Sequence, residues 1–183
     1  MNVDIRDFTL NSLTQSRQVL VNQVKDLTPA QLHWMPSSET NSLGFLIFHT
    51  FRTEDLYGHT RLGSAQEVWQ SKGGHSRWKI PDAPAGAPAA WTTGNGWTPK
   101  ELASFQVPPL SELLAYGEAE RESVAQVIKT FDMAKYEEPV NPANPQQTRG
   151  RLFRTLIVHE IEHRSHIDLL LGLGKATGFK SFS

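Results

Sequence analysis

The chain contains no cysteine. That absence excludes disulfides, zinc–thiolate sites and a cysteine nucleophile, and it fits a reducing compartment. There is no excess of charge of either sign, with 18 Lys and Arg against 19 Asp and Glu. A broad nucleic-acid surface needs a basic face, so no nucleic-acid partner is expected. No apolar run reaches the ~18 residues that a membrane span requires. The opening stretch, MNVDIRDFTLNSLTQSR, has no basic segment followed by an apolar one, so it does not read as a secretory signal. A cytoplasmic protein without a membrane partner is the expectation. Strand-like alternation of any length is missing, as is any internal repeat. What remains is a chain of 183 residues, long enough for one domain, 1–183, with a sizeable core.

Four segments carry apolar residues at helical spacing. The first spans 4–27, with Leu13, Leu20, Val24 and Leu27 on one face. Thr28, Pro29 and Gln31 then form a capping box that opens a short helical turn. The second long helix is predicted from about Ser42 to Leu62, with Ser42 or Asn41 as N-cap. The third spans about 109–131 and the fourth about 148–173, where Gly172 and Gly174 are expected to stop it. Residues 132–147, including EEPVNPANPQQ, read as a loop. Residues 63–108 are rich in Gly, Pro and Ala, and a second capping box, Thr98 to Glu101, opens a short helix there. The composition resembles a linker, but Trp69, Trp78, Trp91 and Trp97 argue against full solvation. A long segment of this kind in a compact domain is more often a lid, a binding loop or an interface. The fold class that follows is all-α, a four-helix bundle. The long crossover between the second and third helices allows those two to run parallel, which predicts an up-down-down-up order.

The stretch HEIEHRSH, residues 159–166, contains H-E-x-x-H, the zinc-metalloprotease signature. At ~100° per residue, His163 lies about 40° round the helix from His159 and His166 about 20° to the other side. Leu152, Leu156 and Leu170 share that face, so the imidazoles are expected to replace core hydrophobes. Glu160 lies ~100° from His159 and is expected off this stripe. A protease of this class needs a third ligand downstream. One class places a histidine where Leu169 stands, with glycine where His166 stands. The other uses a later glutamate, and after His163 the only acid is Asp168. The zincin reading therefore fails. His49, amid the apolar residues of NSLGFLIFHTFRTED, is a candidate third ligand from a facing helix. A polar core network of histidines, or a helix face that is exposed after all, are the alternatives that spacing alone leaves open.

Two segments, LTPAQLHWMPSSETNSLGFLIFHTFRTED at 27–55 and VHEIEHRSHIDLLLG at 158–172, resemble the DinB-like (YfiT-like) family of four-helix-bundle metalloproteins. The first is similar to the family's short turn, N-S cap and ligand-bearing helix, the second to its H-x-x-x-H-R-G-Q motif. Together they cover about a quarter of the chain. The resemblance implies that His49, His159 and His163 hold a divalent metal, and that the protein is a homodimer. Where the family often has Gly-Gln, this chain has Ser165 and His166. His166 is thereby a candidate for a supporting role, a proton relay or an alternative ligand. Arg164 is expected to pair with an acid on a neighbouring helix, Glu54 or Asp55.

Three neutral histidines with an open position make the layout of a catalytic zinc site. The same set suits nickel, iron or manganese. Family members with known activities transfer thiols such as bacillithiol, mycothiol or glutathione to electrophiles, or isomerise maleylpyruvate with such a thiol. The resemblance thus implies a metal-dependent thiol S-transferase-like enzyme acting on small molecules. A metal-dependent hydrolase and a non-catalytic metal- or ligand-binding bundle are the alternatives.

Overall fold

The structure, a computed structural model, describes residues 4–181, apart from the side chains of residues 75 and 76. It is mostly helical. Helix α1 (Ile5–Val24) starts at Asp4, whose carboxylate accepts the Arg6 amide. Helix α2 (Pro29–Leu32) opens with the Thr28–Gln31 capping box that its sequence predicts. Helix α3 (Leu43–Leu56) is capped by Ser42 and continues as a π-helical stretch, Tyr57–Leu62. Short helices α4 (Val68–Ser71), α5 (Gly74–Arg77) and α6 (Pro99–Ser104) lie in the crossover, with a 3-10 turn at Ala89–Thr93. Helices α7 (Leu110–Lys129) and α8 (Arg149–Thr177) complete the set.

Two elements depart from the sequence expectation. The stretch before α8 is not a bare loop: β1 (Pro139–Asn141) and β2 (Asn144–Thr148) pair antiparallel. Their residues are mostly exposed, so no face is buried and no alternation marks them. Helix α8 also runs past Gly172 and Gly174, ending at Gly178 in the left-handed conformation with φ 61°. Gly174 serves a close approach instead, since a Cβ there would lie 2.3 Å from Phe179 Cε1.

The long helices pack in the cyclic order α1–α8–α3–α7. Two apolar clusters fill the space between them. One gathers Leu20, Val24, Phe45, Phe48, Phe51, Leu113, Tyr116, Ile167 and Leu171 with the crossover tryptophans. The other gathers Leu13, Leu62, Val124, Ile128, Leu152, Phe153 and Leu156. Along α1 and α8 the chain runs from the second cluster to the first; along α3 and α7 it runs from the first to the second.

On each long helix, buried charge stands between the two clusters. Arg17 of α1 reaches Glu54 of α3 at 3.0 Å, Glu120 of α7 at 2.9 Å and Glu160 of α8 at 3.4 Å. It also donates to the Gly117 carbonyl at 2.6 Å and lies 4.1 Å over the Phe51 ring. Arg121 of α7 pairs with Glu54 at 2.6 Å and with Glu160. Two guanidinium charges thus meet three carboxyls, and the layer is neutral only if one carboxyl keeps its proton. Two carboxyls are pushed that way: burial, then the charge of Glu54, hold the Glu120 pKa well above the ordinary value against the pull of Arg17, and burial raises Glu54 against Arg121 and Arg17, with the larger rise at Glu120. Burial also pushes Glu160 up, but Arg17 and Arg121 outweigh it, and its pKa is lowered.

Losing a hydrogen bond to a charged partner costs about 1.5–3 kcal/mol, so Glu160→Gln is expected to destabilise the protein by about 2 kcal/mol. Glu120→Gln mimics the protonated acid that burial favours and is expected to cost less than Glu160→Gln. The pH dependence follows. Between ~4.3, the ordinary glutamate value, and the raised folded pKa, the folded state holds a proton that the unfolded chain has released. Stability from this group therefore falls as pH rises through that window. Urea unfolding between about pH 5 and about pH 9 should show this slope in the wild type and a shallower one in Glu120→Gln. An unchanged slope would remove the neutral-acid assignment. Trp69, Trp78, Trp91 and Trp97 are all at most 8% exposed, so their emission is expected to be blue-shifted and shielded from acrylamide. Red-shifted, freely quenched emission would mean that the crossover does not dock.

Candidate metal centre

His49 stands in the middle of α3, two turns from the Ser42 cap and half-buried. Its Nδ1 lies 2.8 Å from the Thr93 carbonyl of the crossover. A carbonyl accepts only, so Nδ1 carries the proton and Nε2 presents a lone pair. His159 and His163 are one turn apart on α8, also half-buried. The nearest ligand atoms of the three rings all lie within 4.8 Å of one another. His49 Nε2 and His159 Nε2 are 3.2 Å apart. Two nitrogens bound tetrahedrally at ~2.05 Å would lie ~3.3 Å from each other, so this pair already has the spacing of two ligands on one ion. His163 Nδ1 is buried without a hydrogen-bond partner. No protein group therefore competes for that nitrogen.

Electrostatics prepare the rings for the same task. Burial first, then repulsion from His163 and His49, lower the His159 pKa to about 3. Burial, then His49 and His166, lower His163 to about 4. Burial lowers His49 as well, against the Thr93 hydrogen bond. All three are neutral at neutral pH, the form that donates to a metal. Three imidazoles and no thiolate or carboxylate make a donor set that could hold a divalent metal ion. A cavity of about 220 Å³ adjoins His49 and His163 and opens to solvent.

Three sequence expectations are corrected. The core stripe of α8 runs through Leu156, Glu160, Ile167 and Leu171, not through the histidines. Glu160, expected off the stripe, is 1% exposed within the charge layer. A zincin glutamate must face water beside the metal, whereas this carboxylate is taken up by Arg17 and Arg121. His166 is exposed, its ring 5.4 Å from that of His163, and the three-histidine cluster does not include it. The stripe has rotated so that Ile167 takes the core position next to it. Arg164 makes no ion pair among the described residues. Glu54 is engaged by Arg17 and Arg121, and Asp55 by Arg52, His59, Tyr116 and the amides of Val68 and Trp69. Arg17 was legible in principle, as a charge at helical spacing within the stripe Leu13, Leu20 and Val24. The Thr93 carbonyl had no signal, because any residue supplies one.

The fold is similar to the crystal structure of a conserved protein from Enterococcus faecalis, with TM-score 0.77 and 17% identity, over 93% of this chain and 96% of that one. A search of curated proteins finds no match. The family model described as the DinB superfamily matches residues 12–167, a span that contains all three clustered histidines and the charge layer. On that match the chain belongs to the DinB superfamily.

Proposed function

We propose that this chain is a divalent-metal-dependent enzyme that joins a low-molecular-weight thiol to a small electrophile. The observation that carries the reading is the convergence of three neutral imidazoles from α3 and α8 beside a solvent-connected cavity. When bound, a divalent ion supplies a Lewis acid with open positions, which lowers the pKa of a thiol or a water. The chain does the rest. Thr93 fixes the tautomer and tilt of His49. Burial keeps His159 and His163 unprotonated. The cavity gives the electrophile a place beside the rings. In the transfer, sulfur forms the new bond to carbon and the leaving group departs with its electron pair. The thiol proton passes to solvent, with exposed His166 as its relay.

Two further features belong to the same proposal. The opposed chain directions through the two apolar clusters support an up-down-down-up four-helix bundle. Phe8 and Val19 on α1, with Ile161 and Leu169 on α8, leave apolar surface exposed on two helices that pack together. That surface supports a homodimer, and the absence of cysteine supports a cytoplasmic location.

Protein purified without a histidine tag is expected to carry about one divalent transition metal per chain, by elemental analysis. His49→Ala, His159→Ala and His163→Ala should each lower that content strongly, since losing even a residue that only supports a ligand costs about 10–100-fold in metal affinity. Full occupancy in His49→Ala would end the three-ligand model. For the chemistry, a thiol panel of bacillithiol, mycothiol and glutathione is tested with chlorodinitrobenzene. Conjugation is expected above the uncatalysed rate, and a chelator should abolish the excess. No thiol-dependent turnover, together with metal-dependent hydrolysis of an ester or amide, would replace the transferase by the hydrolase.

A further inference from the structure

We infer that Arg52 is a positioning residue for the three-histidine site: its hydrogen bond to Thr92 holds the crossover turn so that the neighbouring Thr93 carbonyl keeps the proton of His49 on Nδ1. The inference rests on the metal reading only for its consequence, since the tautomer of His49 belongs to the chain with or without an ion.

Three consecutive crossover residues lie along successive turns of α3, in reverse order. Gly94 meets Phe45, Thr93 meets His49 and Thr92 meets Arg52. Each contact has its own physical basis. Gly94 has φ 89°, and a Cβ there would lie 2.5 Å from Phe45 Cε2, so only glycine lets the turn close on the helix. Thr93 offers its carbonyl, which His49 Nδ1 meets at 2.8 Å. Thr92 offers its hydroxyl. Arg52 Nη2 donates to Thr92 Oγ1 at 2.9 Å, and that hydroxyl donates in turn to the Ala89 carbonyl at 3.0 Å. One hydroxyl thus ties the 3-10 turn Ala89–Thr93 to the guanidinium.

Arg52 is itself firmly held. It is 1% exposed, pairs with Glu67 at 2.8 Å and with Asp55 at 3.5 Å, and lies 4.8 Å over the Trp69 ring. It therefore joins the start of the crossover, through Glu67 and Trp69, to the turn that faces His49. Its bond to Thr92 is charge-assisted, and such bonds are roughly twice as strong as neutral ones. Packing alone does not replace it. The crossover tryptophans press the segment onto the first apolar cluster, but apolar contact is non-directional, whereas a hydrogen bond weakens steeply as its angle falls. Without the Thr92 anchor the turn can pivot about Gly94, which swings the Thr93 carbonyl away from Nδ1. Which ring nitrogen carries the proton is set by the hydrogen bond that the other makes. A freed His49 can place its proton on Nε2, the atom 3.2 Å from His159 Nε2, and so lose the lone pair that an ion needs.

The test follows the histidine ring nitrogens of the full chain, cleared of metal by a chelator, by nitrogen-15 spectroscopy, and measures cobalt(II) affinity on the same samples. The wild type is expected to carry the His49 proton on Nδ1. Thr92→Val removes the hydroxyl at a half-buried position. It should populate the Nε2–H tautomer of His49 and weaken cobalt binding about tenfold, the low end of the cost of losing an outer partner of a ligand. Thr92→Ser keeps the hydroxyl and should restore the tautomer. Arg52→Lys keeps a charge for Glu67 and Asp55 but loses the planar fork, and is expected to act as Thr92→Val does. Because both changes break one contact, the double variant should bind cobalt within about twofold of the weaker single variant. An unchanged His49 tautomer in Thr92→Val, a Thr92→Ser variant as impaired as Thr92→Val, or additive losses in the double variant would each overturn the inference. Absence of cobalt binding in the wild type would instead end the metal reading, and the tautomer would still decide the role of Arg52.

Discussion

The Arg17 guanidinium is the contact on which the helix arrangement depends. A guanidinium offers five donors and cannot give up its charge in a protein, so once buried it must be met by acceptors from several directions. Here they come from α3, α7 and α8 at once, through Glu54, Glu120 and Glu160. Leaving such a charge uncompensated costs about 3–5 kcal/mol, which any sliding of one helix against the others would incur. Apolar packing above and below the layer tolerates small shifts; the layer does not. Its role is registration more than raw stability, since a well-packed apolar substitute can be equally stable.

Registration matters because the clustered histidines are tied to the same residues. Glu160 is the immediate neighbour of His159, and Glu54 follows His49 by five positions on α3. When Arg17 and Arg121 draw those two carboxylates together, the histidines on the flanks of the two helices are drawn together as well. The crossover closes the arrangement from outside. Its tryptophans join the first apolar cluster, and that docking sets the Thr93 carbonyl against His49 Nδ1. One ring is therefore oriented by a segment far away in sequence, while the other two are held by a single helix. The resulting cluster is pre-organised and already neutral, so binding an ion need not expel protons from folded protein near neutral pH.

Much of this was legible in the chain. Helical spacing marked the four long helices, and the Thr28–Gln31 and Thr98–Glu101 capping boxes lie where local chemistry requires them. The H-x-x-x-H spacing placed His159 and His163 together because one helical turn does so in any context. His49 needed a facing helix: the bundle reading made it a candidate, and the family resemblance implied it as a ligand. Glu160 shows the limit. Hydrophobic patterning assigns a glutamate to the surface, and only partners from two other helices make it a core residue.

What the sequence by itself determined was the local set: helix starts, the neighbouring pair of histidines, and the exclusion of thiolate chemistry by the lack of cysteine. These follow from spacing, capping and composition, which act over a few residues. Only the tertiary structure decided which face of α8 is buried, that Arg17 and Arg121 share three carboxyls, and that Thr93 orients His49. Those depend on groups 37 to 143 residues apart in the chain meeting in a medium where an unpaired charge or donor is costly. Such partnerships are set by the packing of whole helices, and no short window of residues contains them.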